Sequence, residues 1–234
     1  MLRPTHGAAM GEAMTPKVPR GPNAQRRAST RAKILAAGVK CLAEFGYAAT
    51  STPLVAKIAK VSRGSLLHQF PTKVDLILGV AEHAWLIQRD YVRAEVAKKA
   101  TGREQFIGGV RAVWKGLQLP EAVALMEVMI AARTDPELAE RYDSWADERE
   151  AGIHRTRRRM AVGLLGAPEH FPEVDAMAHL TSAALRGLAL ETVFIGRPTG
   201  EAEKVLILLE QMRRRFADEV EAERAGAAGE KVSE

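Results

Sequence analysis

Cysteine is nearly absent from the 234-residue chain: Cys41 stands alone, which excludes an intramolecular disulfide and a cysteine-based metal cluster. Cys41 falls on the apolar side of an expected helix, where it suits a small buried hydrophobe better than a reactive thiol. Aromatic residues make up only 5%, few for a protein built from strands. No apolar run approaches the roughly 18 residues that a membrane span requires. The basic N-terminal stretch has no hydrophobic segment of the secretory kind. We therefore expect a cytoplasmic protein that makes no membrane contact. Acid is also scarce at one end. Residues 1–74 contain only Glu12 and Glu44 against 12 Lys and Arg, whereas residues 75–234 hold 22 basic and 27 acidic residues. A basic end on a mildly acidic body implies that only the first part meets a polyanion.

Helix formers are abundant instead. Alanine, leucine, arginine and glutamate dominate a chain that is 47% hydrophobic, and these predict an all-α fold. Residues 1–27 carry four prolines and several basic side chains without apolar periodicity, so they read as a disordered basic arm. A first helix is expected from Thr30 to Phe45, ended by Gly46. Ser51 or Thr52 caps a second, which has Val55, Ala56 and Ala59 on its apolar face. Lys60-Val61 forms a turn, and Ser62 caps a third helix from Arg63 to Gln69. Thr72 and Asp75 have the spacing of a capping box. The helix they open runs to about residue 99, with Val74, Leu78, Ala81, Trp85 and Val92 on its buried stripe. Five more helices follow near 103–118, 121–133, 136–165, 172–195 and 200–224, about nine in all. The last carries Val205, Leu208, Leu209, Met212 and Phe216 as its apolar stripe, and residues 226–234 are expected to be a disordered tail.

The pair of short helices at 51–70 has the mechanics of a helix-turn-helix, whose second helix presents its first residues to base edges in the major groove. Ser62, Arg63 and Ser65 cluster there, with Arg63 able to reach a phosphate or a guanine edge. Gly64 permits close backbone approach, and His68 lies nearly two turns on along the same outer face. Lys73 is placed to hold a flanking phosphate. Arg31, Ser51, Thr52, Lys60 and Leu67 complete the expected DNA-facing set.

The segments Arg31-x-x-Ile34-Leu35-x-Ala37, Leu42-Ala43-Glu44-x-Gly46-Tyr47-x-Ala49-Thr50 and Val61-Ser62-Arg63-Gly64-Ser65-Leu66-x-His68-x-Phe70-Pro71-Thr72-Lys73 resemble the TetR family of bacterial transcriptional regulators. The likeness covers about residues 28–88, without gaps. It implies a three-helix DNA-binding domain at 28–88 and a larger helical ligand-binding and dimerisation domain at 89–225. It further implies a homodimer joined through the last two long helices, double-stranded operator DNA as partner, and repression relieved by an unidentified small-molecule effector. Two positions depart from the family's pattern. Lys60 stands where glycine is usual at the turn. Leu67 stands where tyrosine is frequent, so it either touches a thymine methyl or only packs.

Where the resemblance places an effector pocket, the chain offers Trp85, Phe106, Trp114, Met126, Met129, Tyr142 and Trp145, together with Arg133 for an acidic ligand. The plain alternatives are core packing for the apolar side chains and an ion pair of Arg133 with Asp135 or Glu137. The acidic run Glu137, Glu140, Asp143, Asp147, Glu148 and Glu150, with Asp143 and Asp147 on one face, raises the alternative of a helical metal-dependent enzyme. A solvated helix face continued by Arg155 and Arg157 to Arg159 accounts for it more simply. A non-specific DNA-packaging protein would share the basic arm. No phosphate-binding loop, nucleophile elbow or His-Glu-x-x-His motif occurs, so we expect no catalytic residue, no metal site and no cofactor.

Overall fold

The computed structural model describes residues 21–99, 102–165, 172–196 and 200–230. Residues 1–20 of the expected arm and 231–234 of the expected tail lie outside the described residues. So do the side chains of Glu150, His154, Arg155 and Arg157 to Arg159. Among the described residues every regular element is helical. The long α1 (Pro22–Ala49) comes close to two short helices, α2 (Thr52–Ala59) and α3 (Arg63–Gln69). The long α4 (Lys73–Ala97) leads into α5 (Gly102–Leu117), α6 (Pro120–Ala132) and α7 (Pro136–Leu165). A C-terminal pair, α8 (Pro172–Ala189) and α9 (Glu201–Glu230), closes the chain, with a π-helical turn at Leu190–Phe194 after α8.

Local chemistry sets most of the boundaries. Ser51 and Ser62 cap α2 and α3 by accepting from the Leu54 and Ser65 amides at 3.4 and 3.1 Å. Thr72 and Asp75 close a reciprocal capping box at the start of α4, which satisfies two donors that a helix start otherwise leaves open. Gly46 breaks α1 with φ 74°, a left-handed value that glycine adopts without a Cβ clash. Lys60 adopts φ 56°, ψ 44°. It is the one non-glycine residue with positive φ among those described.

The helix ends differ from expectation in three places. α1 starts at Pro22 rather than Thr30, so residues 22–27 are helical instead of belonging to a disordered arm. Pro22 pre-sets a helical φ where its missing N–H costs nothing, and no glycine or proline interrupts the following residues before Gly38. α9 continues to Glu230, beyond 224 and into the expected tail. Tertiary contacts tie down its later turns: Arg103 binds Glu221 at 2.9 Å, and Arg224 donates to the Leu165 carbonyl at 3.0 Å. The single helix expected at 172–195 ends in the π turn, whose closing bond runs from the Ile195 amide to the Leu190 carbonyl at 3.1 Å.

The first core gathers Ile34, Leu42, Val55, Leu66, Leu76, Ile77 and Val80, and runs on into Ala124, Val128 and Leu138 of α6 and α7. Cys41 is fully buried there, and burial pushes its thiol pKa up. α1 crosses α4 so closely that a Cβ on Gly38 would lie 2.3 Å from Val80 Cγ2. A second core joins Val110, Leu117, Leu185, Ala189, Leu206 and Leu209, and a third joins Leu165, Phe216, Ala217 and Val220. Leu208, expected on the buried stripe of the last helix, is instead 57% exposed, because Leu206 and Leu209 are the residues turned inward. Leu78 and Val92 are only half-buried. No helix among the described residues is long and apolar enough to cross a membrane.

Because a left-handed lysine costs about 1 kcal/mol relative to glycine, Lys60→Gly should raise stability by about that amount. An unchanged denaturant midpoint would show that the turn carries no strain.

Candidate nucleic-acid interface

α2 packs against α1 and carries α3 beyond a connection of only three residues, Lys60 to Ser62, so α3 stands at the edge of the molecule. The Lys60 amide donates to Lys57 O at 3.2 Å and the Val61 amide to Ala56 O at 3.1 Å, which closes α2 and fixes its angle to α3. Only Leu66 of α3 is fully inward. Arg63, Gly64 and His68 are exposed, as are Ser51, Lys57, Lys60 and Ser62 on the elements beside it. A Cβ on Gly64 would meet nothing within 4 Å. The close approach expected at that glycine is therefore not made within the chain.

Several expected contact residues already hold partners. The Ser51 and Ser62 hydroxyls are taken up as caps. Arg31 stacks its guanidinium 4.4 Å over the Phe70 ring. Lys73 lies 4.0 Å over the Tyr47 ring and donates to the Tyr47 carbonyl at 3.2 Å. Thr52 and Ser65 are half-buried, and Leu67 packs against the first core. Packing is thus the role the structure displays for Leu67. The side chains left free to turn outward are Lys60, Arg63 and His68, joined by Lys57, which the motif alone did not single out.

The expected effector residues do not meet at one place. Tyr142 and Trp145 lie 5.5 Å apart against the first core. Trp114 packs on the second core, while Phe106 joins the third and stacks 5.9 Å from Phe216. Met126 is buried, whereas Met129 and Arg133 are exposed. Asp135, considered as a partner for Arg133, binds Tyr47 and the Leu138 amide instead. Trp85 belongs to a junction that sequence reasoning missed. Glu82 of α4 accepts from Trp145 Nε1 at 2.8 Å and from Arg149 Nε at 3.0 Å. The Arg149 guanidinium rests 5.4 and 5.6 Å from the Trp85 and Trp145 rings. Two turns before Arg149 in α7, Arg141 binds Asp75 at 2.8 Å. Among the described residues no group of three or more His, Cys, Asp or Glu is arranged to hold a metal ion, and Asp143 and Asp147 are both exposed.

A second junction centres on Tyr47, just beyond the break in α1. Its hydroxyl donates to Asp135 Oδ2 at 2.5 Å, and its amide donates to Glu127 Oε2 at 3.1 Å. Asp135 uses its other oxygen to cap α7 through the Leu138 amide at 3.1 Å. Burial, then the hydrogen bond to Asp135, raises the Tyr47 hydroxyl pKa well above its usual value. The same bond, with the Leu138 amide, holds the Asp135 carboxyl below the usual carboxylate range. The donor and acceptor shifts agree: the tyrosine stays protonated and the aspartate ionised.

The family model for bacterial regulatory proteins of the tetR family matches residues 34–80, which contain α2, α3 and the turn between them. Over that stretch the chain is similar to the DNA-binding region of the TetR family. An uncharacterised HTH-type transcriptional regulator of Mycobacterium tuberculosis is 27% identical over 184 residues, covering 79% of this chain and 93% of its own. A crystal structure of a transcriptional regulator from Rhodococcus sp. Rha1 is 22% identical with a TM-score of 0.59, covering 81% of this chain and 95% of the other. A transcriptional regulator from Saccharomonospora viridis, solved in complex with choline, is 20% identical with a TM-score of 0.57, covering 82% and 96%. These likenesses support a DNA-binding transcriptional regulator.

Removing the hydroxyl in Tyr47→Phe should cost on the order of 1 kcal/mol at neutral pH, the scale of a partly exposed hydrogen bond to a charged group. Because the folded Asp135 pKa is depressed, its contribution is complete above the unfolded value near 4 and disappears as pH falls through the folded one. The gap between wild type and Tyr47→Phe should therefore narrow in acid. Melts at pH 7 and pH 3 that differ by the same amount would overturn this assignment.

Proposed function

We propose that this protein is a homodimeric, cytoplasmic repressor that grips operator DNA through α3 and lets go when a small molecule binds its helical body. The observation that carries the reading is the outward face of α3 and its turn, where Lys60, Arg63 and His68 are exposed on the basic end of the chain. Arg63 supplies the base-edge or phosphate contact, and Lys57, Lys60 and His68 flank it. Ser51, Thr52, Ser62, Ser65 and Lys73 support that surface from positions already engaged in caps and packing, and Arg31 does so from its place over Phe70. We divide the chain into a DNA-binding domain at 28–88 and a ligand-binding and dimerisation domain at 89–225.

Dimerisation through the last two long helices has specific support. Ala176, Leu180, Ala183, Gly187 and Leu190 alternate at four- and three-residue spacing along α8 and the π turn, and all are exposed. That spacing makes a continuous seam on a helix. Ile207 and Leu208 on α9 add further uncovered apolar surface. Paired with a second copy, these faces would set the two α3 helices for half-sites about 34–36 Å apart on a near-palindromic operator. For the effector, the regulator solved with choline provides a precedent of a small molecule on this fold. Trp85, Tyr142 and Trp145 around the α4–α7 junction are the side chains we favour; Phe106, Trp114, Met126, Met129 and Arg133 are the remaining candidates.

Selecting bound fragments from the source genome should return a near-palindromic site whose affinity falls steeply with salt. Arg63→Ala should lose most of the preference for that site over scrambled DNA while keeping wild-type helicity; wild-type discrimination would remove Arg63 from the interface. Leu180→Glu and Leu208→Glu should sediment as folded monomers. A dimer persisting in both variants would move the interface elsewhere.

A further inference from the structure

The first turns of α1, which local sequence did not show to be helical, form one wall of a cleft. Arg26, Arg27 and Thr30 face Gly64, Ser65 and His68 of α3 across an open space of about 440 Å³. Both arginines are exposed, and among the described residues neither has a carboxylate partner. Four arginines of the helical body behave differently. Arg103, Arg111, Arg141 and Arg149 each pair with acids at the surface. Between Glu12 and Asp75 the sequence contains one acid, Glu44, and that residue stands opposite Lys40 at 3.8 Å. Among the described residues no acid neutralises the cleft.

We infer that the cleft between the first turns of α1 and the outer face of α3 is a seat for the DNA sugar–phosphate backbone, with Arg26 and Arg27 as its cationic wall. This rests on α3 being the element that enters the major groove. If α3 lies in that groove, the strand bordering the groove must pass beside it, and the α1 wall stands on that side. Two arginines on consecutive positions of a helix diverge by about 100°, so they suit neighbouring oxygens of a backbone better than one planar base edge. The open Gly64 keeps the facing wall low: a side chain there would project into the space the strand needs. Such a seat adds affinity without adding sequence information, because phosphates are the same at every base pair. It extends the footprint beyond the helix-turn-helix along one strand of each half-site.

The test uses the full chain with a duplex carrying the selected site and with a scrambled duplex, titrated between about 50 and 200 mM salt. In R26A/R27A the slope of log affinity against log salt should become shallower by at least about 0.9, the increment for one phosphate. Affinity for both duplexes should fall by the same factor, leaving their ratio unchanged. R26K/R27K should keep the wild-type slope, and thermal melts should match wild type, since both side chains are exposed. Ethylation of single phosphates should reveal one flanking position whose blockage harms wild type but not R26A/R27A. An unchanged slope, or a ratio that falls along with affinity, would overturn the seat. A wild-type protein that fails to prefer the selected site would overturn the operator reading instead, while the slope would still report on the cleft.

Discussion

The hydrogen bond from Tyr47 to Asp135 ties the reading head to a body that α1 otherwise meets mainly through apolar packing. Apolar contact between α1 and α6 is strong but non-directional, and it permits sliding. A charged acceptor held by the end of α7 and reached by a phenol just beyond the break in α1 has one productive geometry. The Tyr47 amide on Glu127 adds a second fixed point, and Lys73 over the ring a third. These contacts converge from α1, α4, α6 and the start of α7. The pose of α3 relative to the helical body depends on them.

The second junction works along the other side of α4. Glu82 holds Trp145 and Arg149, and Asp75 holds Arg141, so α7 grips α4 at two levels. Asp75 also completes the capping box that starts α4. One carboxylate thus serves both the beginning of the helix that leads out of the reading head and its attachment to the body. A displacement of α7 would be felt at the first turn of α4, directly after Phe70 and α3. Among the described residues α3 itself has no charged tether, and its orientation is set by packing through Leu66 and by the closed turn at Lys60.

Much of the reading head was legible because its determinants are local. Caps at Ser51, Ser62 and Thr72 depend on residues three positions apart, and the break at Gly46 depends on one residue. The left-handed Lys60 was legible as a departure from an expected glycine. The effector residues were not legible in the same way. Trp85, Phe106, Trp114 and Tyr142 showed helical spacing, which states that a face is buried without saying against what. In the fold they divide among different clusters. Glu82, Arg149 and Glu127 carried no signal, since a charged residue on a helix has the same local pattern whether it faces solvent or a partner sixty positions away.

By itself the sequence determined an all-α chain, a basic head on a mildly acidic body, and a tight turn between two capped helices. Each of these follows from composition or from interactions within a few residues, where chain connectivity already brings the groups together. Tertiary structure decided where α9 ends, which leucines of the last helix turn outward, and which acids hold the head to the body. Those outcomes depend on groups far apart in sequence, whose meeting is set by how whole helices pack.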